Sequence, residues 1–135
     1  MLKRINELLD NGNSFAFETT LSTKSYKNKI LEAKANGYAV TLLFFWLQNV
    51  ELAKRRVRIR VQEGGHNIPE DVIERRYISG IKNLFEIYLP IVDDALIYDN
   101  SEGDPELVAE QLNATTIQIK NHLKFDSLKS YYDKN

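Results

Sequence analysis

Ala39-Val40-Thr41-Leu42-Leu43-Phe44-Phe45-Trp46-Leu47 is apolar at nearly every position, with Thr41 as its polar interruption. A run of this kind is about half the length of a membrane span. An apolar stretch without alternation fits a strand covered on both faces, the usual state of a parallel strand in an α/β sheet. The flanking segments agree. Upstream, Lys24 to Asn36 carries Tyr26, Ile30 and Ala33 at helical spacing, and Gly37 stands where a helix C-terminus favours a left-handed residue. Before it, Ser14 to Thr20 is rich in β-formers and follows the Asn11-Gly12 turn signal, so it reads as another strand.

Downstream, a charged helix is expected from Val50 to Glu63, ended by Gly64-Gly65 and the loop His66-Asn67-Ile68. Pro69 suits a helix start, and Glu70 and Asp71 in the first turn complement the helix dipole. This helix can run to Tyr88, before Pro90. Ala95-Leu96-Ile97-Tyr98 is a third short strand, ending in Asp99-Asn100-Ser101. Glu106 to Gln111 and Thr115 to Lys120 then suggest a β-hairpin around Asn113-Ala114. A last helix from about Leu123 shows its apolar face through Phe125, Leu128 and Tyr132. Three strand–helix alternations predict an α/β fold: an open parallel sheet with flanking helices, closed by a hairpin and a helix. The 135 residues are enough for a single domain, 1–135.

Composition narrows the function. At 43% hydrophobic and 27% charged, the chain is neither disordered nor fibrous. A net charge of −1 gives no bulk attraction to nucleic acid or an acidic membrane, so an anion site must come from a local cluster. There is no cysteine, hence no disulfide, thiolate metal site or thiol nucleophile. MLKRINELLDNG at the N-terminus reads as a short amphipathic helix without the pattern of a secretory signal. A cytoplasmic protein is expected.

Two places have residues suited to chemistry. Arg56 and Arg60 are four apart and share one helix face, a like-charge arrangement that costs roughly 0.2–0.5 kcal/mol when exposed. Arg55, Arg58, Arg75 and Arg76 lie nearby. One reading is an arginine clamp on a mobile lid, closing over phosphoryl oxygens. The commoner reading is a solvated basic face, partly neutralised by Glu51, Glu63, Glu70 and Glu74. The second place is Phe17-Glu18-Thr19-Thr20 at the end of the first strand, the sheet edge where α/β proteins bind ligands. Glu18 and the threonine hydroxyls either hold an acceptor there or merely meet solvent and cap the next helix. His66 and His122 belong to no ligand-like spacing, so no metal site is expected.

Taken in order, FAFETTLST at 15–23, a helix ending Asn36-Gly37-Tyr38, VTLLFFWL at 40–47, RVRIRVQEGGHNIPEDVIERRY at 56–77 and LIYDNS at 96–101 resemble zeta-toxin-like P-loop kinases, closest to the predicted ATPases of that superfamily. The resemblance favours the clamp reading and implies ATP- and Mg2+-dependent phosphorylation of a small hydroxyl acceptor, a UDP-linked amino sugar in the toxins. It implies that Glu18 and Thr20 contact the acceptor, that Arg56, Arg60 and Arg76 act on the phosphoryl group, and that Asn100 and Ser101 lie near the nucleotide base. Ser22 stands where some members have arginine. An antitoxin-like protein is an implied partner.

The departure from the pattern is large. Such kinases hold the β- and γ-phosphates with G-x-x-x-x-G-K-[ST], and no such string occurs in this sequence. Met1 is therefore read as an internal methionine of a longer ancestral protein, or as a start assigned too late. The expected function is that of a truncated kinase, inactive as this chain alone, that uses no ATP or Mg2+ unless nucleotide binding survives. The alternative is a non-catalytic anion-binding or assembly module. In the intact kinases the loop-bearing strand lies between the Phe15–Thr20 and Thr41–Leu47 strands. Its absence predicts either direct contact of those two strands or unpaired edges that promote a homodimer.

Overall fold

The computed structural model describes residues 15–18 and 21–134. The N-terminal helix read at 1–12 and the pair Thr19-Thr20 lie outside the described residues. In chain order the elements are β1 (Phe15–Glu18), α1 (Tyr26–Ala35), β2 (Val40–Trp46), α2 (Val50–Gln62), α3 (Glu70–Asn83), a π-helical turn (Leu84–Tyr88), β3 (Asp94–Asp99), β4 (Glu106–Leu112), β5 (Thr116–Ile119) and α4 (His122–Lys134). The sheet has five strands in the order β1-β2-β3-β4-β5. The first three are parallel and the hairpin strands β4 and β5 are antiparallel, so the fold is the α/β arrangement expected.

β1 pairs directly with β2, from Phe15 opposite Val40 to Glu18 opposite Leu43. Of the two arrangements open to the sequence, direct contact of these strands is the one found.

The strand at 40–46 differs from its reading in one respect. Val40, Leu42, Phe44 and Trp46 are buried, while Thr41, Leu43 and Phe45 on the other face are only half-buried. An unbroken apolar run therefore does not mean two equally covered faces here. On the half-buried side Phe45 stacks on Tyr98 of β3, with ring centroids 5.2 Å apart.

The buried side of β2 meets Ile30 and Ala33 of α1, Ile81 of α3, Leu84 and Tyr88 of the π-helical turn, and Leu128 of α4 in one core. Each large side chain so buried contributes roughly 1.5–3 kcal/mol. Helix ends follow local chemistry. Gly37 ends α1 at φ +87°, as its position predicts. Asn49 caps α2 by accepting a hydrogen bond from the Leu52 amide at 3.0 Å.

α3 continues to Tyr88 as read, but its last turn widens into a π-helix. There, Asn83 Nδ2 donates to the Leu21 carbonyl at 2.8 Å and the Tyr88 hydroxyl to the Thr23 carbonyl at 2.7 Å. Those bonds hold the chain that leaves β1, where buried Leu21 adopts a left-handed φ of 57°. A non-glycine residue there stores backbone strain and needs such anchoring.

Candidate functional site

The ends of the parallel strands converge with α2 and α3 on a cleft of about 340 Å³. Its lining is mostly apolar, including Trp46, Val57, Ile73 and Tyr77, and its polar members are Ser22, Arg56, Arg60, Arg76 and Asn100. This is the carboxyl end of the sheet, where open α/β folds bind ligands. No carboxylate lines the cleft among the described residues.

The arginines reach it by helix geometry. Arg56 and Arg60 lie one turn apart on α2, and Arg76 is in the second turn of α3. Arg56 is half-buried and its Nη2 donates to the Asn100 carbonyl, while Arg60 and Arg76 are exposed. Among the described residues Arg60 makes no ion pair, not even with Glu63, and Arg76 makes none either. Arg58 points elsewhere, pairing with Glu70 at 3.1 Å. Lys54 bridges Glu51 at 3.4 Å and Glu74 at 3.6 Å.

The diglycine after α2 is a structured cap. Gly64 has φ +97°, and a Cβ on Gly65 would stand 2.8 Å from the Arg60 carbonyl, to which the Gly65 amide already donates at 2.7 Å. This close fit sets the end of the arginine helix, where the sequence placed the stop. α2 itself buries none of its residues, so it rests on the body without entering the core.

Of the other residues singled out, Glu18 ends β1 at the same sheet edge, opposite Leu43, and its side chain lies outside the described residues. Thr20 lies outside them entirely. Asn100 lines the cleft, and its amide donates to the Trp46 carbonyl at 2.7 Å. Ser101 is one step behind, where its hydroxyl donates to Asp99 Oδ1 at 2.5 Å and accepts from the Gln48 amide at 2.9 Å. The histidines join no cluster, and among the described residues no three His, Asp or Glu side chains gather as a metal site would need.

Sequence reasoning missed a polar cluster behind the cleft. Asp99 is 4% exposed. Its Oδ1 accepts from the Ser101 amide at 3.0 Å as well as from the hydroxyl, and its Oδ2 accepts from Gln48 Nε2 at 2.8 Å and meets Lys124 Nζ at 2.7 Å. Burial alone would push this carboxyl up. The hydrogen bonds from Lys124, Ser101 and Gln48 outweigh it and hold the group at about 2. Lys124, raised by its bond to Asp99 and then by that to Glu106, also contacts Glu106 at 2.9 Å. The acid ending an apolar strand was a visible signal, but nothing in the sequence links it to Lys124. Below the cleft, the Tyr77 hydroxyl donates to the Leu47 carbonyl at 2.5 Å and accepts from Trp46 Nε1 at 3.1 Å, and burial pushes its ionisation well above the usual tyrosine range.

Comparison with known proteins gives two matches. The zeta toxin family model matches residues 2–105. A Haemophilus influenzae protein described only as uncharacterized is 40% identical over 63 residues, which cover 47% of this chain and 45% of that protein. The match thus spans under half of the relative's own length. No solved structure matches the chain.

Proposed function

The chain belongs to the zeta toxin family, and from that premise we propose a kinase-like domain whose cleft holds the phosphoryl end of a small ligand but which completes no phosphoryl transfer as this polypeptide alone. The observation that carries the reading is the cleft itself: Arg56, Arg60 and Arg76 line it without a carboxylate among the described residues. Guanidinium groups present paired N–H donors that match phosphoryl oxygens, and they strengthen where water is partly excluded by apolar walls.

The donor set fits ATP only in part. Arginines suit the transferred phosphoryl group, yet the glycine-rich lysine loop for the β- and γ-phosphates is not in the sequence. The described residues offer Mg2+ no carboxylate cluster. Phosphoryl transfer relies on positioning and charge stabilisation, so arginines alone supply a fraction of what catalysis needs. In this reading Arg56, Arg60 and Arg76 bind and orient phosphoryl oxygens. Glu18 and Thr20 face the acceptor, a hydroxyl compound such as a UDP-amino sugar, and Asn100 and Ser101 form the turn beside the nucleotide base.

The pure chain should show no turnover with ATP and UDP-amino sugars, and clear turnover would overturn the proposal. Pyrophosphate, ATP or a UDP-sugar titrated at low salt should bind weakly to the wild type and more weakly to Arg56→Ala/Arg60→Ala. Equal affinities would return these arginines to a solvated face.

The retained arginines beside an absent loop also favour a second reading, a non-catalytic anion-binding or assembly module. Its partner would be an antitoxin-like protein or a polypeptide that carries the loop. Because β1 already pairs with β2, a homodimer built by strand pairing would use the outer strands β1 or β5. Light scattering at micromolar concentration separates that dimer from a monomer. Among the described residues no helix is long and apolar enough to cross a membrane. A chain without cysteine is compatible with a reducing cytoplasm, the location we propose, and fractionation of the producing cells would check it.

A further inference from the structure

Lys124 lies on α4, beyond the residues matched by the family model, and is not among those lining the cleft. Its ammonium nevertheless sits 2.7 Å from Asp99, a carboxylate that is 4% exposed. A carboxylate so buried is strongly destabilising unless it is paired and its lone pairs are satisfied. Lys124 and Gln48 satisfy one oxygen, and the Ser101 amide and hydroxyl satisfy the other.

Two consequences reach the cleft. The turn 99–101 is fixed, which aims the Asn100 carbonyl at the Arg56 guanidinium. The Ser101 hydroxyl also accepts from the Gln48 amide, next to Asn49, the residue that caps α2. The helix bearing Arg56 is thereby held at its start and at its arginine by one set of bonds. That set begins on α4.

We propose that Lys124 is a positioning residue for the arginine cleft, acting through Asp99 and the 99–101 turn to orient Arg56. The proposal deepens the phosphoryl-binding reading, and it assigns α4 a part in the site rather than in packing alone. It also explains why Lys124 contacts two carboxylates at once: Glu106 holds the ammonium from the solvent side at 2.9 Å, leaving it directed at Asp99.

The test uses the full chain. The ¹⁵Nε–H NMR signal of Arg56 reports guanidinium order without any ligand, and the Asn83 side-chain amide, bonded to the Leu21 carbonyl, reports the core away from the 99–101 turn. In Lys124→Met the Arg56 signal should shift or broaden while the Asn83 side-chain signal stays. Pyrophosphate affinity should fall about fivefold, the effect of degrading one hydrogen bond to a charged oxygen. Lys124→Arg should restore both. A folded Lys124→Met with an unchanged Arg56 signal overturns the proposal. So does an Asn83 signal that moves as far as that of Arg56, since the effect is then general packing. Should Lys124→Met not fold, Asp99→Asn decides: every step from Lys124 to the 99–101 turn passes through that carboxylate, and a wild-type Arg56 signal in it rejects the relay. If the wild type binds no pyrophosphate, the phosphoryl-binding reading fails, and the Arg56 signal still judges the relay by itself.

Discussion

One helix carries two kinds of cation. On one face of α2, Lys54 and Arg58 reach Glu51, Glu74 and Glu70, and so tie α2 to α3. On another, Arg56 and Arg60 face a cleft that Arg76 also lines and that holds no carboxylate among the described residues. Spacing is the same in both pairs, i to i+4. What differs is the company each face meets after folding. The paired face behaves as the solvated-surface reading expects in its Arg58–Glu70 pair, which is exposed on both sides, while the Lys54 side chain is 12% exposed between its two carboxylates. The other face keeps like charges together at a small cost, which an anionic ligand would offset. Basic residues on one helix thus have different uses, and partners distinguish them where spacing does not.

The largest expected effect removes the unpaired set. Arg56→Ala/Arg60→Ala/Arg76→Ala should lower pyrophosphate affinity about a hundredfold or more, since each hydrogen bond to a charged group contributes about 1.5–3 kcal/mol. Thermal stability should change little, the relieved repulsion among like charges being set against the lost bond from Arg56 to the Asn100 carbonyl. Calorimetric titration beside a melting curve checks both; a large loss of stability with unchanged binding would break the comparison.

The next effect concerns a cation that is fully paired. Asp99→Asn removes the charge that Lys124 meets and presents an amide where donors already point, so stability should fall on the order of 1–3 kcal/mol. The pH dependence carries the sign. Asp99 is held at about 2, below its ordinary 3.8, so its contribution is complete above about pH 5 and is lost as pH falls through 3.8 towards 2. Glu106 is lowered in the same direction by Lys124 and Asn121. Urea melts from pH 6 to pH 2 should therefore show a shallower acid loss in Asp99→Asn than in the wild type. Equal slopes would mean that the cluster contributes little.

The order of strands and helices was legible because local signals agreed: a strand-length apolar run, Gly37 at a helix end, Gly64-Gly65 after α2 and Asn113-Ala114 at the hairpin. Four candidate residues, Arg56, Arg60, Arg76 and Asn100, come together in the cleft. The Asp99 cluster was not legible. Lys124 meets Asp99 only because the hairpin returns the chain so that α4 starts beside the end of β3, a long-range event that leaves no periodicity. The uneven cover of β2 was equally hidden, since composition alone does not count the helices on each side of a strand. Leu21 gave no warning of its left-handed backbone either, because no glycine or asparagine marks the position.

A smaller effect tests the cap that ends the arginine helix. Gly64→Ala forces a side chain into φ +97°, with open space around it, so the cost is backbone strain alone, about 1–2 kcal/mol. Binding should weaken modestly, because Gly64 and its neighbour fix the last turn, which carries Arg60. Gly65→Ala should be worse for Arg60, since its Cβ meets that residue's carbonyl at 2.8 Å. Hydrogen exchange of the last α2 amides would register either change.

The smallest effect is the sharpest control. Arg58 sits between Arg56 and Arg60 in the sequence but pairs with Glu70 across to α3, and both side chains are more than half exposed. Arg58→Ala removes the same formal charge as Arg60→Ala, from the same helix, within two residues of it. Long-range electrostatics alone would make the two substitutions equally harmful to anion binding, and salt would screen both alike. Direct lining of the cleft predicts a split: Arg58→Ala should change pyrophosphate affinity less than twofold and stability by about 0.5 kcal/mol or less, while Arg60→Ala weakens binding severalfold. The titrations belong at low and at moderate salt, because a diffuse field fades with ionic strength and a contact in the cleft fades less. Equal losses in the two variants at both salts would show that the faces of α2 are not distinct in function, and the cleft would lose its standing as the anion site.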